Sequence, residues 1–392
     1  MIPAAHAPAG SPARGVTIEQ VLAGRLVQPV FQPIVDLASG LVIGLEALAR
    51  GPAGTVLEYP DRLFAAAIEA GCLGALDLLC SERSLELAIA ADKPPPLLFT
   101  NAEPAVLDQP LSPRLVELVG GGLPFRQVVE FTERALAAVP GSMLRIAGQT
   151  QGWGNGLALD DVGVDPMSLA FLPLIEPEVI KLDMSLLRDP DSDHTRSVCA
   201  VVRAEAERTG ALVVAEGIET AADLDTARLL GARWGQGWLF GRPAAIQQRH
   251  RYDASAVGLL RPARPGFHDL MAQPYDCAAG ASSPAPATRA EVAAALHRLR
   301  DVAAAHDTAV VVMSGADTGV PGVALSLADL AGSGRPVIVL DQPASTDFVV
   351  AAIAPGRGCA VGVRTSSALE LVTVDHLPSV AVVARALLNR HR

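Results

Sequence analysis

Residues 27–48 read VQPVFQPIVDLASGLVIGLEAL: two short apolar runs with a carboxylate, Glu46, near the end of the second. Working outward, the same kind of run recurs at PLLFTN (96–101), QVVEFTE (127–133), LALDDV (157–162), VIKLD (179–183), LVVAEGI (212–218) and WGQGWLF (234–240). Most are separated by stretches with helical spacing, such as residues 61–90 and 197–210. Eight strand candidates alternating with helices over residues 17–245 predict an α/β fold, a TIM-type (β/α)8 barrel rather than an open sheet.

The polar groups strengthen that reading. Glu46, Asn101, Glu130, Asp160, Asp161, Lys181 and Glu216 all fall in or at the C-terminal ends of different apolar runs. That rim is where barrel enzymes assemble their sites, whereas ionisable groups buried in mid-strand would be heavily desolvated. Glu46, Asn101, Glu130, Asp160 and Asp161 offer four carboxylates and one amide oxygen. Such a donor set suits hard cations, Mg2+ or Mn2+, and not a thiolate-rich zinc site. Two such cations can activate a water and stabilise charge on a phosphodiester. Lys181 is one of only two lysines among 31 basic residues. In the apolar run VIKLD it supplies a compact point charge able to orient a water, or else snorkels from a strand end.

Composition narrows the function classes. With 42 acidic against 31 basic residues and a formal charge of -11, the chain has no broad positive field for DNA or RNA. No uncharged apolar stretch is long enough to span a membrane, and the start lacks the order of a signal peptide, so a cytoplasmic location is expected. The five cysteines are scattered without metal-ligand spacing and read as reduced, mostly buried thiols.

At the level of motifs, FQPIVDLASGLVIGLEALAR (31–50), FTNAEP, EFTE, LALDD, IKLD, AEGIE and GQGWLFGRP follow one another in the order of the EAL domain family, which this part of the chain resembles. The resemblance implies a cyclic di-GMP phosphodiesterase that opens its ligand to linear pGpG with two Mg2+ or Mn2+ ions per site. It implies that Glu46, Asn101, Glu130 and Asp160 hold the first metal, and that Asp161, the shared Asp160 and Glu216 serve the second. Glu216 reads first as a ligand of that second metal placed near where a general base acts, with a general base or a plain strand-end carboxylate as the alternatives, and Lys181 as the group that orients the water. Arg50 would contact a phosphate, beside Leu48 and Gly237. Gln32, Asp183 and Gln236 match guanine or ribose contacts, or ordinary structural hydrogen bonds. Glu133 and Glu219 would support the site, Glu133 by anchoring the loop after Asp160-Asp161. Trp153 and Trp238 are expected in the core.

The chain departs from the family in that loop. DDFGTGYSSL is the usual form; residues 160–169 here read DDVGVDPMSL. In the family the loop links the metal site to a dimer interface, so the change bears on a homodimer and on regulation. Pro166 restricts Asp165 before it. The catalytically silent alternative is a cyclic di-GMP receptor that signals through its C-terminal region.

Residues 1–16 read as a disordered lead and 246–289, rich in Pro, Ala and Ser, as a linker. Residues 290–392 read as a smaller α/β domain, with strands at TAVVVM, PVIVLD, CAVGV and LVTVD and a closing helix at 377–390. It carries no catalytic motif and bears a faint resemblance to DICT-type sensory domains. A regulatory or sensory task, with a signalling partner, is the expectation there.

Overall fold

The computed structural model of the protein describes residues 15–390 apart from 104–108, 133–138, 165, 247–249, 307, 316, 325–329, 331–335 and 341–346. Nearly all of the expected disordered lead lies outside the described residues, as do Glu133 and Asp165.

Eight strands close into a barrel. β1 (Val30–Asp36) and β2 (Val42–Leu48) form an antiparallel hairpin that sets Gln32 opposite Glu46. From β2 onward β3 (Leu97–Asn101), β4 (Arg126–Thr132), β5 (Gly156–Val162), β6 (Val179–Leu182), β7 (Leu212–Ala215) and β8 (Trp234–Gln236) run parallel, and β8 meets β1 antiparallel. The barrel thus departs from eight equal strand-helix units at β1. Residues 37–41 are too few for the crossover that a parallel pair requires, so the chain reverses there, with Gly40 at φ 69°.

Among the described residues, nine helices accompany the barrel strands: α1 (Ile18–Ala23), α2 (Pro60–Glu69), α3 (Leu73–Ile89), α4 (Pro113–Gly120), α5 (Pro140–Gly152), α6 (Leu172–Ile175), α7 (Met184–Arg188), α8 (Asp193–Thr209) and α9 (Ala221–Leu229). Their ends follow local chemistry. The Ser192 hydroxyl accepts from the Thr195 N–H to start α8, and Gly210 at φ 75° ends it. Thr220 and Asp223 make a reciprocal capping box for α9.

At the N-terminal end of the barrel, Ile34, Ile43, Leu97, Phe99, Val128, Ala158, Val179, Val214 and Trp234 pack into one apolar floor. A 3-10 turn (Ala254–Leu259) adds Ala256 and Leu260 to it. Above this floor, at the opposite rim where water and ligands have access, the barrel places Glu46, Glu130, Asp160, Lys181 and Glu216.

The second sheet has the order β11-β10-β12-β13-β14-β9, with β10 and β11 parallel and the rest antiparallel. Its strands are β9 (Ala285–Pro286), β10 (Val310–Met313), β11 (Val337–Val339), β12 (Asp347–Ala354), β13 (Arg357–Thr365) and β14 (Leu369–Val374). The remaining helices among the described residues are α10 (Pro274–Ala281), α11 (Arg289–Ala304) and α12 (Leu377–Leu388). Alternation decides which face meets which helix: Val311 and Met313 pack with Val292, Leu296 and Leu299 of α11. Val310 and Val312 point the other way, into a cluster shared with Val380 and Ala384 of α12. That cluster runs on through Leu169–Ile175 of the barrel, so one apolar core joins sheet and barrel.

Two features differ from the sequence reading. The stretch 246–289, expected as a linker, holds the 3-10 turn of the barrel floor, α10 with Tyr275 only 1% exposed, and the edge strand β9. Pro and Ala richness marks tight turns and close helix packing as well as tethers, so composition could not separate them. β12 gives no alternating strand signal in the sequence, because both its faces are buried and VVAAIA is apolar throughout. No helix among the described residues is long and apolar enough to cross a membrane.

Candidate functional site

The barrel rim brings five charged side chains from five strands to one point. Lys181 on β6 is fully buried, and its Nζ lies 2.8 Å from Glu216 Oε1, 2.9 Å from Glu130 Oε1, 3.0 Å from Asp160 Oδ1 and 3.5 Å from Glu46 Oε2. One ammonium among four carboxylates leaves an excess of negative charge. Its consequences are visible in the acidities. Burial pushes Glu130 well above the carboxylate range, with Lys181 opposing and Glu46 and Asp160 adding repulsion. Burial likewise pushes Glu216 up to about 8 against the pull of Lys181, with Asp160 and Glu46 repelling. Burial would raise Glu46 too, but Lys181 and hydrogen bonds from Gln236 and Asn101 outweigh it and hold the group below its usual value. Burial alone would strip the proton from Lys181, and the surrounding acids hold it on firmly.

The carboxylates divide into two overlapping groups, Glu46, Glu130 and Asp160, and Asp160, Asp161 and Glu216, with the oxygens of each group within 4.8 Å of one another. Oxygen donors at this spacing around a surplus of buried negative charge fit two divalent cations sharing Asp160. Asn101, at the end of β3, turns its amide nitrogen to Glu46 Oε1 at 3.2 Å, which reserves its carbonyl oxygen for another partner. Asp161 adopts φ 57°, a left-handed conformation that few non-glycine residues hold; it joins Asp160 in the second group, while Asp160 alone also belongs to the first.

Around this centre the other expected residues have distinct surroundings. Gln236 is 4% exposed and donates from Nε2 to Glu46 Oε2 and, at 3.1 Å, to Gln32 Oε1. Gln32 in turn donates to the Gly241 carbonyl at 3.1 Å. Gly237 lies so close to the Ile218 backbone that an added Cβ would stand 2.1 Å from its carbonyl oxygen. Leu48 and Arg50 line a recess with Asn101 and Asp77, and Arg50 Nη1 donates to the Ala49 carbonyl at 2.7 Å. Asp183 caps α7 by accepting from the Ser185 N–H. Glu219 stands 3.8 Å from Arg188, away from the carboxylate centre.

Two rings differ from expectation. Trp153 and Trp238 are about half exposed, and Trp238 stacks under Arg242 with the guanidinium carbon 3.7 Å from the ring centre; the buried tryptophan is Trp234. Asp77 was not singled out in the sequence, where LGALDLLC reads as plain helix. It is buried on α3, accepts from the Glu103 N–H at 3.1 Å, and so braces the turn that follows Asn101. The cysteines of the chain are all free thiols.

Comparison with known proteins agrees with this geometry. A family model described as "EAL domain" matches residues 17–243. Probable cyclic di-GMP phosphodiesterase PdeB of Escherichia coli (strain K12) is 31% identical over 219 residues, 54% of this chain and 42% of that protein. Cyclic di-GMP phosphodiesterase NbdA of Pseudomonas aeruginosa is 31% identical over 258 residues, 61% of this chain and 32% of that protein. The chain thus spans less than half the length of either relative. Among solved structures, the FimX EAL domain from Pseudomonas aeruginosa bound to c-di-GMP superposes with a TM-score of 0.52 at 22% identity, covering 61% of this chain and 98% of that one, a likeness of fold.

Proposed function

The chain belongs to the EAL domain family, and from that membership we propose that it hydrolyses cyclic di-GMP to linear pGpG by in-line attack of water. One observation carries the reading: Glu46, Glu130, Asp160, Asp161 and Glu216 form two overlapping oxygen groups about a buried Lys181. The relatives named as cyclic di-GMP phosphodiesterases support the substrate. Glu46, Asn101, Glu130 and Asp160 would hold one Mg2+ or Mn2+, and Asp160, Asp161 and Glu216 a second. When bound, such ions neutralise charge on the phosphoryl oxygens and make a water acidic enough to attack near neutral pH.

The chain's own groups do the rest. Lys181 keeps its proton and holds the carboxylates in register, and its ammonium orients the attacking water. Glu216, 2.8 Å from Lys181 Nζ, serves the second ion and stands where the water's proton would be taken up. The buried relay Gln32, Gln236, Glu46 fixes the Glu46 carboxylate, so the two glutamines act behind the site rather than on a base. Arg50 keeps guanidinium N–H groups for a substrate phosphate beside Leu48 and Gly237. The C-terminal layer regulates this site through the segment 169–175 on which it packs.

A second reading, a silent receptor for the same ligand, draws on the loop 162–169, where the family's threonine and tyrosine are replaced. Chromatography of cyclic di-GMP incubated with the protein and Mg2+ or Mn2+ separates the two. Appearance of pGpG, abolished by EDTA and restored by either ion, supports the enzyme; binding without product supports the receptor; neither binding nor product overturns both.

A further inference from the structure

We propose that His194 is a positioning residue that holds the metal-binding loop after β5 by hydrogen-bonding the Gly163 carbonyl. The inference rests on the metal reading above and deepens it. His194 Nε2 lies 2.7 Å from Gly163 O. A carbonyl oxygen only accepts, so this nitrogen carries the proton. Two positions before Gly163, Asp161 holds φ 57°, the left-handed region that non-glycine residues adopt uncommonly, and Gly163 itself has φ 113°, open to glycine. The turn at Asp161 gains from neighbours that hold it.

The neighbours are identifiable. The Asp183 N–H donates to the Val162 carbonyl at 3.1 Å, and the Val164 N–H to the Asp161 carbonyl at 3.2 Å. A Cβ at Gly163 would stand 2.7 Å from Leu186 Cδ1, so the strand end is pressed against α7. On the other side His194 reaches in from the first turn of α8. Its platform is rigid: Ser192 caps the helix through Thr195, and Thr195 Oγ1 donates to the Asp189 carbonyl at 2.8 Å. The imidazole therefore fixes the plane of the Gly163 peptide and, through two residues of backbone, the angle at which Asp161 leaves Asp160.

Val164 stands where the family pattern has threonine, and the Gly163 carbonyl is held from a helix 31 residues downstream. A residue of this kind touches no substrate and acts through the geometry of Asp160 and Asp161.

The test is direct Mn2+ binding by titration calorimetry on the full chain, with thermal melts as the control for folding. His194→Ala is expected to weaken Mn2+ roughly three- to tenfold, the worth of one lost hydrogen bond, with an unchanged melting temperature. His194→Gln, whose amide nitrogen can donate from nearly the same place, restores binding. In turnover assays the loss in His194→Ala falls on kcat at low Mn2+ and is recovered at saturating Mn2+, with KM for the dinucleotide unchanged. Wild-type affinity in His194→Ala overturns the assignment, as does a weakened variant that glutamine fails to rescue. Absence of Mn2+ binding by the wild-type chain overturns the metal reading itself, and this inference with it.

Discussion

Arg385, on the last helix of the chain, donates from Nη1 to the Leu174 carbonyl at 3.2 Å, and to that of Pro173 at 3.3 Å. His268 Nε2 takes the Ile175 carbonyl, Arg261 and Arg264 the Glu176 carbonyl, and Asn389 reaches the His268 carbonyl from α12. Four consecutive carbonyls at the end of α6, those of residues 173–176, are thus satisfied by groups from residues 261 onward. A helix end buried without such partners would be costly. The C-terminal layer is therefore part of the structure that holds the passage from α6 into β6.

Replacing Arg385 by Met keeps much of its volume but leaves the Pro173 and Leu174 carbonyls without a donor. It also removes the stacking of the guanidinium on Phe267, 3.9 Å from the ring centre. Arg385→Met should lower stability by about 2 to 4 kcal/mol in urea melts. Deleting residues 262–392 should give an aggregating or partly unfolded barrel, visible by size-exclusion chromatography. A truncated chain that melts like the full one would show that α6 does not depend on these contacts.

His268 is fully buried, and burial drives its pKa down to about 3, with Arg385 and Arg264 adding to the effect and the bond to Ile175 opposing it. Its stability contribution is complete above the unfolded value near 6.5. As pH falls below that, the unfolded chain takes up a proton that the folded one refuses, and stability declines toward pH 3. His268→Gln should be less stable than wild type at pH 8 but lose less between pH 7 and 5, as measured by denaturant midpoints.

Asp77 shows the opposite sign. Burial raises its carboxyl to about 7, with the Glu103 N–H opposing and the Glu103 charge assisting. Its contribution is complete below the unfolded value of 3.8 and is lost as pH rises through 7, a ceiling of roughly 4 kcal/mol. Asp77→Asn, which can still accept from the Glu103 N–H, should therefore raise the melting temperature at pH 8 and raise it much less at pH 5. An equal shift at both values would mean that Asp77 is ionised in the folded protein throughout.

Lys181→Met leaves the buried carboxylates without their cation. In the absence of metal it should destabilise the fold by about 3 to 5 kcal/mol, and added Mn2+ should recover much of the loss by binding the folded state alone. Turnover should be lost in this variant and in Glu46→Ala. Retained hydrolysis of cyclic di-GMP by Glu46→Ala would show the metal assignment to be wrong.

Much of the barrel was legible because strand and helix periods are local. VIKLD and LALDD present apolar runs that end in charge, and a charge at a strand end implies a rim. The donor groups were legible for the same reason. The roles of Gln32 and Gln236 were open between ligand and scaffold; burial and the bond to Glu46 favour scaffold. His194 gave no signal, since a lone histidine in DSDHTRS has the look of any solvated helix start.

What the chain determined by itself, then, was the alternation of strands and helices and the acids that meet at one end of the barrel, because those depend on neighbours a few residues apart. Only the folded molecule decided that Lys181 stands among four carboxylates, that His194 ties Gly163, and that Arg385 closes the end of α6. Each of these joins residues tens to hundreds of positions apart, where contact is set by packing and no pattern in the intervening sequence records it.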